Sequence, residues 1–231
     1  MHRALLLVAL VAAALVPRLS PAASYGSLGV NGDPVDSARV FVQWQVEADP
    51  ADTAGTALWY GFDVYRFDLG ACGPWVRVTA SPVPRSVGTL VTSYSLYDTP
   101  PANHAWRYQV RFVSASGAEV QPFQFCECYR DLYVACPWKS IPVTEGTLVS
   151  NPFGVGLSPC PGSCYPGVGL DVPLPDNLAP LVGTAATVRL YGVIQCGIEG
   201  CLMPATNYDF GACGVVPAHT TSWGRLKSIY R

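Results

Sequence analysis

The chain has 231 residues, half of them hydrophobic and only 13% charged, with a formal net charge of −2. That composition can build sizeable cores and excludes a disordered chain. It also excludes a nucleic-acid binder, which needs a basic patch to neutralise phosphates.

In chain order, the first feature is a signal peptide over residues 1–23. His2 and Arg3 supply a positive start, and Ala4 to Val16 is an uncharged run of thirteen residues, too short to span a bilayer. Small residues follow at Ser20-Pro21-Ala22 and Ala22-Ala23-Ser24, so the mature N-terminus is expected within two residues of Ala23. Cleavage after Ala22 removes Arg3 and Arg18, taking 14 basic residues to 12 against 16 acidic ones, for a net charge of −4. No second apolar stretch is long enough to cross a membrane. These readings place the protein outside the cell or on its surface. A remaining length near 210 residues suggests one or two domains.

Residues 24–125 alternate in period two between turn-forming clusters. Strands are expected over Val40-Val46, Gly61-Arg66, Trp75-Thr79, Ser93-Leu96 and Trp106-Val113. In the first, Val40, Val42 and Trp44 share a face; in the last, Tyr108, Val110 and Phe112 do. Alternation of this kind buries one face of each strand, as in two antiparallel sheets packed as a sandwich. Trp44, the Tyr60-Arg66 run, and Tyr97-Asp98-Thr99 followed by Tyr108-x-Val110-x-Phe112-x-x-Ala115-x-x-Gly117 together resemble a fibronectin type III domain. The resemblance implies a seven-strand sandwich used in adhesion, spacing or ligand recognition, with Tyr108 as its corner tyrosine. It implies no activity, because one fold hosts many functions.

Residues 126–141 read as a linker rich in cysteine and aromatic residues. Residues 142–213 read as a small Cys-rich β domain, similar to compact OB-like barrels of exported bacterial proteins. Its strands are expected at Gly146-Val149, Ala186-Ile194, Cys201-Met203 and Asn207-Phe210, with a tight loop at Cys160-Cys164. Over Ala186-Ile194, Val188 and Leu190 face one way and Arg189 and Tyr191 the other. Residues 214–231 form a tail in which Trp223, Leu226 and Tyr230 share the face of a short helix. The fold class is therefore all-β, a sandwich followed by a disulfide-rich β unit and a short C-terminal helix.

Nine cysteines lie beyond the signal: Cys72, Cys126, Cys128, Cys136, Cys160, Cys164, Cys196, Cys201 and Cys213. An exported chain meets an oxidising environment, so disulfides are the first reading and zinc the alternative. The odd count leaves one thiol free or paired with another molecule. In the resembled fold the seventh strand ends beside the loop after the third, which implies that Cys72 pairs with Cys126 or Cys128. The later cysteines would pair among themselves, Cys160 with Cys164 and Cys196 with Cys201 or Cys213.

No G-x-S-x-G elbow, H-E-x-x-H, P-loop, dinucleotide fingerprint or EF-hand loop occurs in the sequence. No catalytic residue, metal site or cofactor is assigned. His104 reads as a solvated loop residue. Asp33, Asp36, Asp49 and Asp52 read as carboxylates in surface turns, with calcium as the alternative. Glu199 with Asp209, and His219, are the residues on which a secreted hydrolase or carbohydrate-binding accessory would rest. Tyr129, Tyr133, Trp138, Tyr165 and Trp223 lie off the clear strand faces and are the candidates for a ligand surface. The preferred function is a non-enzymatic binding, adhesion or structural module whose partner is an extracellular protein or glycan.

Overall fold

The computed structural model describes residues 25–36, 38–48, 59–86, 91–120, 125–129, 131–136, 141–170, 173–197 and 200–213. The expected signal segment and the tail beyond Cys213, with its expected helix, lie outside them. The architecture is all-β.

In the first half, β1 (Tyr25–Pro34), β2 (Val40–Ala48) and β6 (Val91–Asp98) form one sheet together with β8 (Phe125–Tyr129), in the order β6-β2-β1-β8. Facing it are β3 (Gly61–Asp68), β7 (His104–Val113) and β9 (Asp131–Cys136), with the two-residue strands β4 (Val76–Arg77) and β5 (Val83–Pro84) paired to β3. The alternation read from the sequence decides which side chains fill the space between. Val40, Val42 and Trp44 are buried against Phe62, Val64, Tyr108, Val110 and Phe112. Trp44 stacks on Tyr94 at 5.6 Å and meets Phe62 edge-on at 5.7 Å, while Trp59 packs on Phe62 and Phe112, each at 5.0 Å. Offset and edge-on ring contacts add to the burial itself.

Two carboxylates, Asp63 and Asp98, are buried in this half and each is saturated, Asp63 by Arg77 and Thr79. The Tyr108 hydroxyl donates to Asp98 Oδ2 at 2.7 Å, and Arg66 Nη1 donates to both oxygens of the same carboxylate. The Arg66 guanidinium also lies 5.2 Å from the Trp106 ring. A buried carboxylate is tolerated when charge-assisted bonds of this kind satisfy it.

Residues 126–141 are not a linker. Most of them belong to strands: β8 pairs parallel with β1, and β9 is a central strand bound to β7 on one side and to the second half on the other. Its Leu132 and Val134 enter the first core, and its Tyr133 and Ala135 enter the second. Because side chains alternate across a strand, one six-residue segment serves as a wall of both cores. Trp44 belongs to the first core and Val188 and Leu190 to the second.

The second half comprises β10 (Thr144–Asn151), β11 (Gly154–Pro159), β12 (Val168–Leu170), β13 (Thr187–Leu190), β14 (Val193–Gly197), β15 (Gly200–Met203) and β16 (Tyr208–Gly211), with a three-residue 3-10 turn at Ala179–Leu181. These strands continue the sheet in the order β16-β13-β10-β11-β12-β15-β14-β9-β7-β3-β4. The single strand expected over Ala186-Ile194 is broken at Gly192, whose φ of 132° is open to glycine and to little else. The break lets β13 pair with β10 and β16 while β14 pairs with β15 and β9.

Disulfides join Cys72 to Cys164 and Cys160 to Cys213. Cys196 is also disulfide-bonded, and the strand register sets Cys201 opposite it. The Cys72 pairing with Cys126 or Cys128 and the Cys160–Cys164 pairing are both corrected. The reason is topological. Cys126 and Cys128 lie on β8, which crosses to the other layer and pairs with β1. The strand that ends beside the loop after β3 is β9, with Cys136 opposite His104.

Candidate functional site

Outside the two cores, the feature with the shape of a binding site lies on the outer face of the second half. Register aligns Val149, Gly156, Gly169 and Leu202 in one row across β10, β11, β12 and β15. The neighbouring positions Leu148, Leu157, Val168, Leu170 and Met203 point the other way and fill the second core. The outer row therefore has side chains at its ends and bare backbone in the middle. The result is a groove of about 340 Å³, walled by Val149 and Leu202.

A rigid turn stands at one end of the groove. β10 and β11 are joined through Asn151-Pro152-Phe153-Gly154, with Asn151 paired to Gly154. Asn151 Oδ1 accepts the Phe153 N–H at 2.8 Å, Pro152 restricts its own φ, and Gly154 takes a φ of 133°. Phe153 at the tip is fully exposed. A Cβ added at Gly156 would come within 3.0 Å of the Val168 carbonyl and 3.2 Å of Asn151 Nδ2, so a side chain there disturbs both the floor and the turn. No lining residue is charged. The groove can bury an apolar or aromatic group and offer it one amide; it holds no group able to transfer a proton at neutral pH.

A second surface is a ladder of alternating rings and guanidinium groups. Arg111 lies 4.4 Å from the Tyr65 ring and 5.2 Å from that of Trp75, and Arg107 lies 5.2 Å from Trp75 and 5.5 Å from Tyr133. Each cation is also met by polar partners: Arg107 bonds Asp131 at 2.7 Å, and Arg111 bonds Gln109 at 2.7 Å and Glu119 at 3.4 Å. Burial opposes the charge on Arg107, but the Asp131 hydrogen bond and charge outweigh it and raise the pKa. Tyr133 is pushed up to about 12, first by burial and then by the Asp131 charge, with Arg107 pulling the other way. The ladder is a brace between the first-half sheet and the second core, with its charges already neutralised. Tyr133, expected as a ligand candidate, is only 6% exposed and belongs to that brace.

A third cluster, of titratable groups, lies near the β13–β16 edge. Arg189 Nε lies 3.4 Å from Asp209 and 3.8 Å from Glu145, and the Tyr191 hydroxyl donates to Asp209 at 2.9 Å. Burial raises the Glu145 pKa, Asp209 adds to the effect, and Arg189 opposes it. Tyr165 is raised by burial and then by Glu145 and Asp68, and Tyr191 by burial and then by its bond to Asp209. Asp209 is thus committed to Arg189 and Tyr191. Glu199 and His219 lie outside the described residues. His104 lies on a strand and not in a loop: it opens β7, its Nδ1 lies 2.6 Å from Asp68 and its ring stacks on Trp106 at 5.5 Å, while its side chain stays 42% exposed.

Of the other candidates from sequence, Tyr165 packs half-buried against the second core and Tyr129 lies on β8, while Trp138 and Trp223 fall outside the described residues. Asp36 accepts from the Ala38 and Arg39 amides and pairs with Arg39, which lowers its pKa. Its carboxylate is used in holding a turn. Asp49 and Asp52 lie outside the described residues. Among those residues no three His, Cys, Asp or Glu side chains cluster as metal ligands, and no helix is long and apolar enough to cross a membrane. Sequence reasoning missed the groove. Its signal was Asn-Pro-Phe-Gly at 151–154, a turn sequence with an aromatic residue at the tip, followed by Gly156, Gly167 and Gly169. No protein-family model matches the chain, and no curated protein matches it.

Proposed function

We propose that this is a secreted or cell-surface binding protein without enzymatic activity. In this reading a fibronectin type III-like sandwich acts as the rigid mount and the second half presents the groove. The partner is an apolar or aromatic segment of an extracellular protein, or the apolar face of a glycan ring. The observation that carries the reading is Phe153, fully exposed on a turn that fixes its position beside an uncharged groove. Exposing a whole aromatic side chain forgoes roughly 1.5–3 kcal/mol of burial. Preorganised aromatic anchors of this kind dominate binding energies at interfaces.

The sandwich assignment rests on the alternation of β2, β3, β6 and β7 and on Tyr108 bonding back to Asp98. The export assignment rests on the signal-like first 23 residues and on the use of disulfides. The test is a protein and glycan binding array probed with the mature chain and with Phe153→Ser. Binding that weakens at least about tenfold in the variant supports the groove, since hot-spot aromatic truncations cost roughly 2 kcal/mol or more. Binding unchanged by the substitution refutes it, and turnover of an ester, peptide or glycoside by the purified chain refutes the non-enzymatic reading.

A further inference from the structure

The groove and Phe153 are a hole and a knob on the same face of the same molecule. Phe153 itself lines the groove, so the two sit side by side. A face that carries both parts is self-complementary. Turning a second copy about a two-fold axis lying in the plane of this face, midway between knob and hole, can set each ring over the other copy's bare glycine floor, the isologous arrangement of most soluble dimers. Charge permits the approach. The lining residues are uncharged, so the groove itself sets no like charges against each other when two copies meet. Order permits it as well, because the Asn151 bond and Gly154 hold the backbone that carries the knob in one conformation before contact.

We infer that the protein pairs with a second copy of itself through this face, each Phe153 seating in the trough between Val149 and Leu202 of the other copy. The inference rests on reading the groove as a binding surface and names its occupant. Two aromatic rings bury roughly 150–250 Å² each. With the groove walls the contact stays at the small end of specific interfaces, so association is weak and reversible, on the order of 10–100 µM. A weak homophilic contact of this kind gains strength when many copies are held on one surface.

The test is sedimentation equilibrium of the mature full chain over about three decades of concentration centred on that range. Three samples are compared: the native chain, Phe153→Ser, and Leu202→Asp. Both substitutions fall on exposed positions, and unchanged circular dichroism confirms that each variant folds. The native chain is expected to show a monomer–dimer equilibrium, and each variant to weaken it at least about tenfold. An equimolar mixture of the two variants is expected to associate more than either alone. The Phe153→Ser copy keeps its trough and the Leu202→Asp copy keeps its knob, so a mixed pair regains one of the two seats. A native chain that stays monomeric overturns the inference, as does a dimer indifferent to both substitutions or a mixture no better than its parts. A monomeric native chain that still loses array binding on Phe153→Ser leaves the groove reading standing and removes only the self-pairing.

Discussion

The two halves of this protein reach stability by different means. The first half buries Trp44, Trp59, Phe62, Tyr108 and Phe112 in one aromatic core and saturates the two carboxylates it brings inside, Asp98 with Arg66 and Tyr108 and Asp63 with Arg77 and Thr79. The second half fills its core chiefly with Leu, Val and Ile, and the disulfides Cys72–Cys164 and Cys160–Cys213 tie it. Aliphatic side chains bury less area each than the aromatic rings of the first core, and cross-links offset the difference by restricting the unfolded chain. The glycines at 156 and 169 belong to the same trade. They contribute nothing to packing on their outer face, and their missing side chains make the groove. The site sits in the half that needs cross-linking.

The largest effect is expected from removing the centre of the aromatic core. Trp44→Ala should cost roughly 3–5 kcal/mol in chemical denaturation. Hydrogen exchange should rise throughout β2, β3 and β7; a loss confined to the second half would break the comparison.

Next comes the cross-link internal to the second half. Replacing Cys160 and Cys213 together by Ser opens a loop of 53 residues' separation. It should cost roughly 2–4 kcal/mol, near the chain-entropy value and often below it. The comparison predicts where: exchange rises in β10, β13 and β16 before it rises in β2 or β7. Equal loss in both halves would mean that the shared strand β9 makes them one cooperative unit.

A smaller effect, visible only at high pH, reports on the brace between the halves. Tyr133 is raised from 10 to about 12 in the folded chain. Between those values the unfolded chain has lost this proton and the folded chain keeps it, so stability falls as pH rises through that window. Thermal unfolding from pH 9 to 12 should therefore show a downward slope that Tyr133→Phe reduces. An unchanged slope would remove Tyr133 from the account. The smallest expected stability effect is at the groove, where Phe153→Ser should change unfolding free energy by no more than about 0.5 kcal/mol, as for surface positions generally. A larger loss would show that the ring supports the second half rather than serving a partner.

Much of the first half was legible because large apolar residues alternate without interruption. Trp44 and Tyr108, both read as core, are fully buried, and β2, β3, β6 and β7 lie where the pattern puts them. β1 escaped notice because, among Gly26, Gly29 and Gly32, only Leu28 and Val30 mark its inward face. β9 escaped because both its faces are buried, so Leu132-Tyr133-Val134-Ala135 shows no alternation of apolar with polar. The groove escaped for a related reason. A pattern of apolar residues says where side chains gather; Gly156 and Gly169 lie on separate strands and make a hollow only when β11 and β12 set them opposite each other.

By itself the sequence determined the period of each strong strand, the face each would bury and the turns that end them, because those depend on residues close along the chain. It pointed to cysteines being used in bridges, because a chain with nine cysteines and a signal-like start favours that use. Which cysteines meet was decided only by the tertiary structure. Cys72 and Cys164 are 92 residues apart, with Cα atoms 5.6 Å from each other, and that approach depends on β9 lying between β7 and β14 while β8 crosses to β1. Local pattern carries no record of which strand edge a segment will join, since any extended segment presents the same backbone donors and acceptors. The choice is made by the whole set of side chains that must be buried at once.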